Sequence, residues 1–221
     1  MDAQIKGRVR STWPGLVPDD SPGDVRLTPS RLVATAQGQL PKSEITRMGN
    51  SWWTKNTSAA AALTAMPTTT SGLTLYNGSP SGSGVHYVID SVYATEIVVD
   101  STQQNQTQLW VACGRSFTAP TAGAVATGSF TGIKTYGGSA IVAVAATTVV
   151  ADSPWRPVGP ASPLAAAVAG GLFKGNEAKF DGEYIVPPGG AFHVAASKLA
   201  ATASQLYYVI AWHEVQMYLP V

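Results

Sequence analysis

Along much of this chain apolar and polar positions alternate with a period of two, and the alternation is clearest near its end. Phe180, Tyr184 and Val186 lead into Pro187-Pro188-Gly189-Gly190, and Phe192, Val194 and Ala196 resume the pattern on the far side. Two period-two runs separated by Pro and Gly predict two strands around a tight turn. After a polar stretch, residues 206–215 gather Tyr207, Tyr208, Val209, Ile210, Trp212 and Val215, a β-branched and aromatic run that predicts a closing strand. Strands are predicted at 73–76, 85–100, 108–113, 140–150, 178–186, 191–196 and 206–218, with the Gly/Ser-rich segment 78–84 joining the first two. Short strands at this spacing predict an all-β fold, a jelly-roll β-sandwich of two sheets.

The first 55 residues break the pattern. Trp13-Pro14-Gly15, the segment 17–23 with Pro18 and Pro22-Gly23, and Leu40-Pro41-Lys42 are turn formers too closely spaced for long elements. They predict an irregular N-terminal arm over 1–55, and Trp13, Trp52 and Trp53 argue against full disorder there. Residues 56–72, containing Ala59-Ala60-Ala61-Ala62, read as a linker or short helix, and 73–221 as the jelly-roll domain. The Thr/Ala/Gly-rich stretch 117–138 predicts a surface loop or an inserted hairpin. Pro154, Pro157, Pro160 and Pro163 make 152–163 an extended connector, suited to passing across to a neighbouring subunit. The absence of a repeat of about 20 to 50 residues argues against a solenoid or propeller.

Composition changes this picture in one respect. Charged residues are only 12% of the 221, about half the usual quarter. Ser, Thr, Asn, Gln, Gly and Ala, or partner subunits, must cover the rest of the surface, which predicts an oligomer or an assembly component. A net charge of +1 argues against a dedicated nucleic-acid binder. Residues 1–10 carry Lys6, Arg8 and Arg10 and no apolar core, so no secretory signal is expected. The longest apolar tracts, 140–151 and 164–172, are too short to span a bilayer, so no membrane partner is expected. Cys113 is the single cysteine and sits in an apolar run, which predicts a small core residue and excludes an internal disulfide.

Candidate chemistry is sparse. His86, His193 and His213 each fall in a predicted strand, where half-exposed or interface positions are expected. His213-Glu214 places its two side chains on opposite strand faces, so they cannot converge on one metal ion. Gly82-Ser83-Gly84 reads as a turn between strands and not as a nucleophile elbow. No phosphate-binding glycine motif occurs in the sequence. Asp181 and Glu183 share a strand face but read as a solvated edge. Sequons start at Asn56, Asn77 and Asn105, as chance allows in a chain so rich in Ser and Thr. No catalytic residue, cofactor or metal is expected, and no enzymatic activity. Among the aromatics, Trp110 and Trp212 are expected in the core, and Trp52, Trp53 and Trp155 at contacts between subunits.

Two blocks of sequence carry a resemblance. The first is Leu75-Tyr76-Asn77-Gly78-Ser79-Pro80-Ser81-Gly82-Ser83-Gly84, followed by Tyr87-Val88-Ile89-Asp90-Ser91-Val92. The second is Asp181-Gly182-Glu183-Tyr184-Ile185-Val186-Pro187-Pro188-Gly189-Gly190-Ala191, with the late Ala211-Trp212-His213-Glu214-Val215. Together they resemble small virion structural proteins of tailed bacteriophages, over about residues 73–215. The resemblance implies a trimeric jelly roll that serves as capsid cement, head fibre or tail part. On it rests the expectation of a decoration protein that binds the outer capsid surface as a homotrimer and stabilises the shell. Its partners would be its own chain and the major capsid protein or other virion proteins. Its place would be the virion, assembled in the host cytoplasm. The alternative is a tail or fibre component that binds host receptor or glycan. In either case Arg8, Arg10, Arg26, Arg31 and Arg47 suit an acidic shell surface, and Trp13, Trp52, Trp53 and Trp155 suit apolar grooves on a partner.

Overall fold

The computed structural model describes residues 7–8, 22–23, 42–98, 107–115, 118–123, 125–132, 135–148, 154–162, 175–180, 182–198 and 205–217. The chain divides into two units, Met1–Lys42 and Ser43–Val221. In the first, strand β1 (Gly7–Arg8) pairs antiparallel with β2 (Pro22–Gly23).

In the second, one short helix, α1 (Lys42–Arg47), precedes a succession of strands. These are β3 (Ser51–Asn56), β4 (Ala60–Ala61), β5 (Thr70–Asn77), β6 (Val85–Val98), β7 (Thr107–Arg115) and β8 (Val125–Ser129). They continue as β9 (Ala140–Thr148), β10 (Arg156–Ser162), β11 (Gly175–Lys179), β12 (Ile185–Val186), β13 (Gly190–Lys198) and β14 (Gln205–Gln216). One sheet has five strands in the order β10-β7-β13-β5-β9. The other has seven, in the order β11-β6-β14-β3-β8, with β12 also on β6 and β4 also on β14. All these pairings are antiparallel. The expected all-β sandwich is therefore the observed architecture.

The period-two alternation builds the core. Leu73, Leu75, Leu109, Val111, Phe192, Val194 and Ala196 come from the five-stranded sheet, and Trp52, Tyr87, Ile89, Val92, Leu206, Tyr208, Ile210 and Trp212 from the other. All lie in one buried cluster, each large side chain contributing about 1.5–3 kcal/mol on burial. Tyr208 crosses the gap: its hydroxyl accepts the Ala196 amide proton at 3.1 Å. The Tyr208 ring lies where a Cβ on residue 72 would come within 2.5 Å, so Gly72 lets the sheets approach. The Pro187-Pro188-Gly189-Gly190 turn forms as expected, with Gly189 at φ 75° and the Gly190 amide donating to Pro187 O at 2.8 Å.

Several boundaries differ from the sequence expectation. The arm does not extend to residue 55, because β3 is an interior strand between β14 and β8. Asn56 ends that strand fully buried, its amide donating to Leu206 O and its Oδ1 accepting from Tyr208 N. Nor is 56–72 a linker. β4 pairs with Gln205 and Leu206, and Leu63 exchanges backbone hydrogen bonds with Ala196 and Lys198. Pairing to an existing sheet outweighs the helix preference of an alanine run. Within 117–138 lies β8, and within 152–163 lies β10, an edge strand, the place in a sheet where prolines such as Pro157 and Pro160 are tolerated. The strand expected over 178–186 is split into β11 and β12, because Phe180 turns into the core against Tyr184 and Phe192. Among the described residues no helix is long and apolar enough to cross a membrane.

Candidate functional site

Of the residues expected to bind partners, the second unit holds Arg47, Trp52, Trp53 and Trp155. Arg8 lies on β1, while Arg10, Trp13, Arg26 and Arg31 lie outside the described residues. Arg47 closes α1, exposed, and is forked onto Glu44, with Nε to Oε2 at 2.8 Å. Hydrogen bonding to Arg47 holds the Glu44 carboxyl below its usual range. Trp52 is a correction. It is core, edge-on to Tyr136 at 4.8 Å, because position 52 shares the inward face of β3 with Thr54 and Asn56. Trp53 points the other way and is half-buried, its ring occupying the space a side chain at Gly128 would need. Trp155 is half-buried as well, its indole N–H on Thr68 O at 3.1 Å and its ring 6.3 Å from His193. Of the two tryptophans expected in the core, Trp212 is fully buried and Trp110 only half-buried, donating to Ser197 Oγ at 2.7 Å.

The histidines are buried rather than half-exposed. His86 sits at a strand start with Nδ1 2.8 Å from Gly84 O. His193 Nδ1 is 2.9 Å from Thr74 Oγ1, which is 2.6 Å from Ser71 Oγ, and burial pushes this imidazole down to about 4. His213 Nδ1 is 3.0 Å from Asp90 Oδ1. That meeting depends on an irregularity in β6: Trp212 pairs with Ile89 and Ala211 with Ser91, leaving Asp90 as the extra residue of a bulge. His213 and Glu214 do face opposite ways, since Glu214 accepts from the Tyr136 hydroxyl at 3.0 Å. Burial and that carboxylate raise Tyr136 well above the ordinary phenol range. Cys113 packs partly against the core, where burial pushes its thiol up to about 11 and keeps it protonated at neutral pH.

A second ionic pair lies between the sheets. Lys198 Nζ and Glu96 Oε1 are 2.8 Å apart, with the Lys198 side chain fully enclosed. Asn176 donates from Nδ2 to Thr107 O at 2.9 Å, and Thr107 is the register partner of Lys198. The sequence reading missed this group. A usable signal existed, because Lys198 is in phase with Phe192, Val194 and Ala196, and Glu96 with Val92 and Ala94.

The two flanks of the sandwich carry different chemistry. On one, β10 brings Arg156, Pro157 and Pro160 and β11 brings Glu177 and Lys179. These strands approach closely, a Cβ on Gly159 coming within 3.3 Å of Glu177 O. On the other, β8 and β9 contain no charged residue and no proline. The Gly123 amide covers one point of the β9 edge, donating to Val142 O at 2.9 Å, and Phe130 stands exposed just beyond β8. Free strand edges are ordinarily guarded by charge, proline or bulges, and this flank has few such guards. Among the described residues no group of His, Cys, Asp or Glu is arranged to hold a metal ion. The chain matches no protein-family model, no curated protein and no solved structure.

Proposed function

We propose that this protein is a virion structural protein of the tailed-phage class its sequence resembles, a trimeric jelly roll that decorates the capsid exterior and stabilises the shell. The observation that carries the reading is the strand order. Taking β3, β5, β6, β7, β10, β11, β13 and β14 as strands 1 to 8, the sheets read 1-8-3-6 and 2-7-4-5. Each of the pairs 1–8, 2–7, 3–6 and 4–5 is hydrogen-bonded, as when one long antiparallel ribbon is wrapped into two sheets. That order supports the jelly-roll reading, an architecture used widely in capsid proteins. β8 and β9 extend both sheets at one flank. Their uncharged edges suit burial between protomers, and cyclic symmetry would match such trimers to threefold points of a shell.

Quantitative gels of purified particles test the function. Decoration requires on the order of tens to hundreds of copies per particle, each weak contact summing through multivalency. A copy number of a few trimers would replace this reading with a receptor- or glycan-binding fibre component. Light scattering of the free protein should give three times the chain mass. Removing residues 1–41, which spares α1 and β3, should leave a folded body that no longer attaches to particles lacking the native protein. Normal attachment would place the docking surface on the sandwich.

A further inference from the structure

The interior of a sandwich is an unusual place for an amine, a carboxylic acid and a carboxamide, and this one encloses all three. Lys198 extends inward from β13 in the five-stranded sheet, and Glu96 inward from β6 in the seven-stranded one. Asn176 on β11 is the register partner of Ala94, two residues from Glu96 on the same face of β6. From there its amide reaches across to the Thr107 carbonyl, and Thr107 lies directly beside Lys198 in the β7–β13 register. Lys198, Glu96, Asn176 and Thr107 are all buried. Thr107 Oγ1 is enclosed with no hydrogen-bond partner, so this corner is polar beyond what its own bonds require.

We propose that Lys198 and Asn176 become joined by an isopeptide bond, with Glu96 as the catalytic acid–base. In a site closed to water, passing a proton from Nζ to Glu96 across 2.8 Å replaces two buried charges by two neutral groups and frees the nitrogen lone pair. Nζ then attacks Cγ of Asn176. Glu96 donates a proton to Nδ2 and regains one from Nζ. The Cγ–Nδ2 bond breaks, and ammonia departs from the position where the Thr107 carbonyl already holds that nitrogen at 2.9 Å. One C–N bond forms and one breaks, and nothing is oxidised or reduced. The product ties β11 to β13, and so one sheet to the other, by a covalent strut.

The test is the intact mass of the full chain, purified, denatured and measured by mass spectrometry. The expected mass is short of the sequence mass by one ammonia, and tryptic digestion should give one branched peptide linking Asn176 to an uncleaved Lys198. Lys198→Arg and Glu96→Gln should both restore the full mass, and Asn176→Asp should lose water in place of ammonia. A native chain at full sequence mass overturns the proposal. So does an ammonia deficit that maps to Asn77-Gly78, where backbone cyclisation gives the same loss. The measurement needs no particle, so its outcome is independent of the capsid reading.

Discussion

Lys198–Glu96 and His213–Asp90 are both enclosed acid–base pairs at 2.8 and 3.0 Å, yet they occupy opposite sides of the same sheet. Lys198 and Glu96 lie in phase with the apolar residues of their strands, and so face the other sheet. His213 follows the core residue Trp212 and Asp90 follows the core residue Ile89, so both point to the outer face. The first pair spans two sheets at a place that alternation makes dry. The second spans neighbouring strands at a place that alternation leaves wet, and covering structure has enclosed it. A polar residue at a core phase is thus enclosed by its own strand's pattern, whereas one at a surface phase is enclosed only by what packs over it.

Glu96→Ala leaves the Lys198 amine in the interior without its carboxylate. In urea unfolding this variant is expected to be about 3–5 kcal/mol less stable than the Glu96→Ala/Lys198→Met double variant, a comparison between two chains that cannot form the isopeptide bond. Next in size is the pH dependence of His193. The folded imidazole is held near 4, below the ordinary 6.5, so between those values the unfolded chain binds a proton that the folded chain refuses. Stability from this residue is therefore complete above pH 6.5, falls as pH drops, and levels off below 4, a loss on the order of 3 kcal/mol. His193→Gln should flatten that part of a stability–pH curve. Asp90→Ala on the outer face is expected to cost about 1–3 kcal/mol by leaving the His213 Nδ1 without its acceptor, measurable by the same unfolding. The smallest effect belongs to the exposed Arg47–Glu44 pair, where Arg47→Ala should leave the unfolding midpoint unchanged within error.

The strands with strong alternation were legible. Those at 73–76, 108–113, 191–196 and 206–218 correspond to β5, β7, β13 and β14. The elements that were not legible are short or carry a contrary local signal. β3 follows a turn-rich segment, β4 is two alanines, β8 is Val-Ala-Thr-Gly-Ser, and β10 carries two prolines. Each is a strand because a neighbour supplies its hydrogen bonds, which no local pattern announces. Trp52 illustrates the consequence. An irregular arm over 1–55 would make Trp52 an anchor for a partner; as part of an interior strand it is core.

The alternation, the turns at 78–84 and 187–190 and the all-β class are local properties, because side-chain period and turn conformation are set within a few residues of backbone. Strand order, the enclosure of three histidines and the pairing of Lys198 with Glu96 arise only once the sheets are assembled. Those outcomes join residues far apart in the chain, such as Asn56 and Tyr208, 152 positions apart, and Asp90 and His213, 123 apart. Only the closing of one sheet on another brings such residues into contact, and the free energy that closes it belongs to the whole core rather than to any local stretch.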